Sequence, residues 1–244
     1  MSGTVCAVIP ALDEEDAIGG VVEHARAHAD CVLVVDNGST DATARRAAAA
    51  GARVVGEPRR GYGRACVAGA RAAPPGSILV FSDGDGSDDP AALSRVAAPV
   101  LTGRADLVLG SRALGRRERG ALRSHQLAAN HFFSWLIRTF WRVPVTDLGP
   151  MRAVRREHLL ALRIQSRTYG WPVEVVLKAA RSGLRVEEVA VDVHRRAAGR
   201  SKVSGSLRAS LRAGGCFVGA IVRYGLGPLR VDRAVPWRDS EKPV

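Results

Sequence analysis

Long apolar runs are missing from this 244-residue chain. The longest stretch without Asp, Glu, Lys or Arg is residues 124–137, fourteen residues that include two histidines. A bilayer span needs about 18 or more apolar residues, so a polytopic membrane protein is excluded. Cysteine is scarce: Cys6, Cys31, Cys66 and Cys216 form no CxxC pair, which excludes a disulfide-stapled mini-domain and reads as free, buried thiols in a reducing cytoplasm. The N-terminus lacks a basic segment followed by an apolar run and a cleavage site, and a cytoplasmic protein is the expectation. Aromatic residues make up only 5%. With no reader motif beside them, they count against a basic nucleic-acid-binding module despite a pI near 10.8. Lysine is almost absent. Three lysines stand against 33 arginines, which resembles the codon bias of a GC-rich genome, so part of the net charge of +12 carries no functional information. No internal repeat or low-complexity linker is visible.

What is present is an ordinary globular composition, 46% hydrophobic and 25% charged, enough for one domain with a sizeable core. The charge is unevenly placed. Residues 1–100 hold nine basic and thirteen acidic residues; residues 101–244 hold 27 and 11. An acidic front suits a metal, and a basic back suits phosphates or an anionic membrane surface.

Periodicity predicts alternating elements in the front half. Strands are expected at 5–9, 31–35, 53–56, 78–81 and 107–109. Helices are expected at 16–28, from the caps Ser39, Thr40 and Asp41 to residue 50, at 61–73, and after Asp89-Pro90. Repeated βα units imply a mostly parallel sheet covered by helices, with ligands beyond the carboxyl ends of the strands. The acidic loops 36–41 and 83–89 fall at such ends. The back half reads as helix 122–141, strand 151–154, helix 172–181, strand 186–193, a basic glycine-broken loop at 195–205 and a final helix 206–226.

Chemistry concentrates in the acidic loops. Asp83-Gly84-Asp85 can turn two carboxylates toward one hard divalent cation and leave its other positions for phosphate oxygens. Four carboxylates within seven residues repel each other unless a cation joins them, although Asp89 serves simply as a turn cap. Asp36, ending an apolar strand, can accept hydrogen bonds from a base or ribose. Arg59, Arg60 and Arg64 flank the turn Gly61-Tyr62-Gly63, where they face either a diphosphate or solvent.

The runs VIPALDEE (8–15), VVDNGSTD (34–41) and DGD (83–85) resemble the family 2 glycosyltransferases of GT-A fold. The resemblance continues through LGSR (109–112), DLGPMR (147–152) and GRSKVSG (199–205), pieces similar to the branch of dolichyl- and polyprenyl-phosphate mannose or glucose synthases. It covers roughly residues 4–205. It implies a single Rossmann-like GT-A α/β domain over residues 1–205, with a nucleotide-sugar half at about 1–111 and an acceptor half at 112–205. A C-terminal amphipathic helix at 206–230 and a frayed tail at 231–244 would follow. Pro10, Ala11, Asp13, Glu14 and Asp36 would line the nucleotide, and Asp83 and Asp85 would hold Mg²⁺ or Mn²⁺ against the diphosphate. Ser87 stands where such synthases often have a glutamine as a further metal contact. Arg112 and Arg123 would grip an acceptor phosphate, which guanidinium forks suit. Lys202 tips the basic loop 195–205, which reads either as a lid ordering over substrate phosphates or as a surface loop.

The implied activity is inverting transfer of a hexose from a UDP- or GDP-sugar to polyprenyl phosphate, with Asp85, Arg112 and Asp147 carrying it. The alternative is a soluble enzyme acting on a hydroxyl or a small phosphorylated acceptor. A hydroxyl needs a general base, for which Asp147 and Glu174 are the candidates; a phosphate is already anionic. The final helix has apolar residues near one face, which suits either the domain's own core or peripheral contact with the inner face of the plasma membrane.

Overall fold

A computed structural model describes residues 3–196 and 207–228. The front half alternates β1 (Val5–Ala11), α1 (Glu15–Arg26), β2 (Cys31–Asp36), α2 (Thr43–Ala49), β3 (Arg53–Gly56), α3 (Tyr62–Ala72), β4 (Ile78–Phe81), α4 (Ala92–Leu101) and β5 (Leu107–Ser111). The back half supplies α5 (Ser124–Trp141), β6 (Arg152–Arg155), α6 (Arg156–Ala161), α7 (Trp171–Arg181), β7 (Val186–Ala190) and α8 (Leu207–Ala220). A π-helical turn over Ile221–Leu226 continues α8. No helix among the described residues is long and apolar enough to cross a membrane.

The seven strands among the described residues join one sheet in the order β3-β2-β1-β4-β6-β5-β7. β6 is antiparallel to both β4 and β5, and every other pairing is parallel. The α/β sheet expected from the sequence is therefore observed, with one reversed strand. Alternation splits each strand between two cores. Cys6, Val8, Leu33, Val35, Leu79 and Phe81 face α3, α5, α7 and α8. Val5, Ala7, Ile9, Val32, Val34 and Val80 face α1, α2 and α4. Close layering needs a bare backbone at Gly69 of α3, where a Cβ would lie 2.4 Å from Val8 Cγ1.

Two local expectations are corrected. Helix α2 begins at Thr43 rather than at the Ser39–Asp41 caps, because Asp41 Oδ1 accepts both the Thr43 N–H and hydroxyl from outside the helix. Helix α6 has no counterpart among the expected elements, since six residues are too short to show a helical period. The C-terminal helix commits one side to the core: Ala220 and Ile221 are buried there, with Phe217 and Tyr224 packed against the same cluster.

The reversed strand gives one edge of the sheet an extra turn. Six strands end at that edge and β6 starts there, with Arg152 paired to Phe81. Segments 11–15, 36–41, 82–89, 111–112, 147–152 and 191–196 all reach this edge.

Candidate active site

On the front side, β1 and β2 end in register at Ala11 and Asp36, and their loops are laced together. Thr40 donates its backbone N–H to Asp13 Oδ1 at 2.7 Å, Ser39 Oγ accepts the Asp13 N–H, and Thr43 Oγ1 accepts that of Glu14. Asp36 Oδ1 accepts the Ser39 N–H. Asn37, unremarked in the sequence beyond its turn, is buried and ties Glu57, Arg59 and Gly61 to this edge. Pro10, Ala11, Asp13, Glu14 and Asp36 are thus brought together, with the Asp13 carboxylate engaged by Thr40. Arg59 is exposed beside Glu57, and Arg60 reaches the Gly38 carbonyl.

Beyond β4 the acidic loop folds on itself. Asp88 Oδ2 accepts the Asp83 N–H at 3.0 Å and Asp85 Oδ1 accepts the Ser87 N–H at 2.8 Å. Asp85 and Asp88 are buried. Burial, followed by the neighbouring Asp85 and Asp88, pushes the Asp83 carboxyl well above the usual carboxylate range. Burial likewise raises Asp88 to about 6. Such concentrated negative charge invites a cation.

The donor set fits a hard divalent ion: carboxylate oxygens only, two of them one residue apart. Among the described residues no three His, Cys, Asp or Glu side chains converge into a ready-made metal cage. That pattern matches an ion held by one or two carboxylates and completed by substrate phosphates. A protein cation already answers part of the charge. Arg196 places Nη2 2.6 Å from Asp85 Oδ2 and Nη1 3.6 Å from Glu14 Oε1. Sequence reading takes Arg196 only as part of the basic loop 195–205 and passes over His194 just before it. The His194 N–H donates to the Ser87 carbonyl at 2.9 Å. Its ring lines a cleft of about 250 Å³ with Asp83, Asp88 and Met151.

Arg112 and Asp147 form the second half of the site, and they form it together. The Asp147 carboxylate is buried. It accepts Arg112 Nε at 2.7 Å, Nη2 at 2.8 Å and the Arg112 backbone N–H at 2.8 Å. Burial alone would raise this carboxyl, but Arg112 outweighs burial and holds it below the usual range. The turn carrying Asp147 is pinned by Glu188, which accepts the Thr146 and Asp147 N–H groups, and by Asn130 Oδ1, which accepts that of Leu148. Gly149 leaves room for the pair, since a Cβ there would lie 2.9 Å from Arg112 Nε. Arg152, which closes the DLGPMR run but has no role assigned from the sequence, is buried under this turn. It donates to the carbonyls of Gly149, Pro150 and Pro172 and lies 5.0 Å from the Trp171 ring.

These contacts correct the general-base expectation. Asp147 has both oxygens occupied and its basicity lowered. Glu174 is fully buried, accepts the Gln165 and Ser166 N–H groups, and sits 2.7 Å from Lys178 Nζ. Both carboxylates are thus engaged by neighbouring groups, an arrangement that favours positioning over proton transfer. Arg123 is exposed just before α5, its N–H donating to Gln126 Oε1, and it joins no ion pair among the described residues. Lys202 lies outside the described residues.

A sheet of this order, with an aspartate loop at its carboxyl edge, is the frame of a nucleotide-sugar transferase. The model of the glycosyl transferase family 2 matches residues 6–162, and the chain belongs to that family. An uncharacterized glycosyltransferase of Mycobacterium tuberculosis is 44% identical over 211 residues, 86% of this chain and 94% of the relative. The undecaprenyl-phosphate mannosyltransferase of Micrococcus luteus is 32% identical over 222 residues, 83% of this chain and 88% of the relative. Among solved structures, glucosyl-3-phosphoglycerate synthase from M. tuberculosis with UDP superposes with a TM-score of 0.74 at 26% identity, covering 93% of this chain and 81% of that one. The same enzyme with Mn²⁺, UDP and glucosyl-3-phosphoglycerate gives 0.73 at 25%, with the same coverage.

Proposed function

We propose that this protein moves a hexose, with inversion, from a UDP- or GDP-sugar to a polyprenyl phosphate at the inner face of the plasma membrane. The observation that carries the reading is the Arg112–Asp147 pair. It holds a braced guanidinium that feels the charge of Asp83 and Asp88, while the Asp147 and Glu174 carboxylates are engaged. A fork for phosphate, together with two carboxylates already engaged by Arg112 and Lys178, suits an acceptor that is already anionic.

Asp83 and Asp85 would hold Mg²⁺ or Mn²⁺, which neutralises charge on the departing diphosphate. Asp36 and the 11–14 loop would take the nucleoside. Arg112 orients the acceptor phosphate, and Asp147 keeps that guanidinium in one geometry. The likeness to the M. luteus mannosyltransferase supports a lipid phosphate. A small phosphorylated acceptor is the second reading, favoured by the likeness to a synthase crystallised with phosphoglyceric acid (TM-score 0.73, 25% identity).

The deciding experiment is a donor screen that follows nucleoside diphosphate release with polyprenyl phosphate, with phosphoglycerate, and with neither. Release that depends on the polyprenyl phosphate is expected. Release with phosphoglycerate alone would transfer the assignment to the second reading.

A further inference from the structure

We propose that the outward face of α5, continued by α8 and its π-helical turn, docks this protein on an anionic lipid bilayer. The proposal rests on the lipid-acceptor reading but places the contact away from the final helix alone. Phe132, Trp135 and Phe140 are 53%, 47% and 67% exposed, an unusual display of large rings along one helix of a water-soluble surface. Phe132 and Trp135 lie three residues apart, on one side of α5, with ring centroids 6.2 Å apart. Phe132 packs edge-on against Phe133, and Phe133 against Phe217 of α8. A chain of rings thus leads from solvent into the seam between the two helices. Beyond the seam, Val218 and Val222 are exposed one turn apart, and Leu226 is exposed after them.

Charge selects the occupant. Neither residues 124–142 nor residues 207–228 contain an aspartate or glutamate, whereas Arg138, Arg142 and Arg223 are exposed. Aromatic rings with an arginine rim match the interfacial zone of a bilayer whose headgroups are anionic. A second copy would set this carboxylate-free face against itself, with like charges opposed. The inner side of α5 gives the contact a purpose. Asn130 clasps Leu148 and Thr146, the turn whose Asp147 holds Arg112. A helix seated on the headgroups therefore carries the phosphate-binding guanidinium with it.

The test is co-sedimentation with phosphatidylglycerol vesicles and with phosphatidylcholine vesicles, run on the wild type, on Phe132→Ser/Trp135→Ser and on Arg138→Glu. Size-exclusion light scattering runs alongside, and nucleotide binding serves as the check on folding. Wild-type binding to the anionic vesicles only, reduced at least tenfold in the double variant and severalfold in Arg138→Glu, is expected. No binding by the wild type, or equal binding by all three, overturns the proposal. So does a wild-type dimer that the double variant dissociates without any vesicle binding, which assigns the face to a second copy. Transfer to polyprenyl phosphate in detergent micelles separates the two readings. Transfer without vesicle binding removes only the docking face; vesicle binding without transfer removes only the acceptor assignment.

Discussion

The two halves of the site treat buried carboxylates in opposite ways. In the front half, Asp83, Asp85 and Asp88 crowd one loop, and burial raises Asp83 and Asp88 above their ordinary range. In the back half, the equally buried Asp147 is held below it because Arg112 meets it with two side-chain hydrogen bonds. One half carries negative charge that Arg196 answers only in part, and the other is neutralised from within. A transferase acting between a nucleotide sugar and a phosphate gains from that division. The first half stays receptive to a divalent ion and its diphosphate. The second half spends its own carboxylate on fixing a guanidinium.

The largest expected effect comes from breaking the neutralised half. Asp147→Asn leaves Arg112 without its counter-charge, at a cost of about 3–5 kcal/mol, measurable as a lower urea midpoint with unchanged m-value. The pH dependence carries the sign. Asp147 has a depressed folded-state pKa, so its contribution is complete above the ordinary carboxylate value and is lost as pH falls through the folded one. Asp88 works the other way: its raised value of about 6 means that its contribution is complete below the ordinary value and disappears as pH rises through 6. Acid titration of stability should show a loss at the low end that Asp147→Asn flattens and Asp88→Asn does not.

Next in size is the front half. Asp85→Asn, or removal of divalent ions with EDTA, should lower kcat by about 10²–10³ while circular dichroism stays native. Full activity in verified absence of metal would end the metal-assisted reading. Arg112→Lys keeps a charge but loses the fork. It should lower kcat/KM for the acceptor by roughly ten- to two-hundredfold, the equivalent of 1.5–3 kcal/mol. Nucleotide affinity, read by calorimetry, should stay near wild type. Lysine is the better probe here than alanine, which would leave Asp147 buried and unpaired.

The smallest effect sharpens the comparison most. Arg196 is the front half's own partial answer to its charge, so Arg196→Gln should tighten Mn²⁺ binding to the nucleotide-free protein severalfold, measured by titration. Unchanged affinity would mean that the guanidinium and the ion do not compete for Asp85.

Legibility in the sequence divides along the same line. Asp83, Asp85 and Asp36 are readable because each motif is contiguous: strand, turn and carboxylate lie within a few residues, where periodicity and turn chemistry operate. Arg112 stands out in its motif, but its partner reads as a base. Nothing within 35 residues of sequence says that Asp147 will be saturated by that arginine. Glu174 misleads for a related reason, since its accepted N–H groups come from Gln165 and Ser166 in a preceding loop and its counter-charge from Lys178. The roles of Arg196 and His194 escape notice because the two join the aspartate loop only when β7 has been placed at the far side of the sheet.

By itself, the sequence determined the succession of strands and helices, the acidic loops at the strand ends and the family. These depend on local hydrogen bonding and on apolar spacing, which neighbouring residues settle among themselves. Only the tertiary structure decided that β6 runs backward, that Asp147 braces Arg112, that Arg196 reaches Asp85, and that Phe132 and Trp135 remain in solvent. Each of those depends on how distant segments pack: packing brings some charges together in burial, where their energy is set, and leaves other surfaces uncovered.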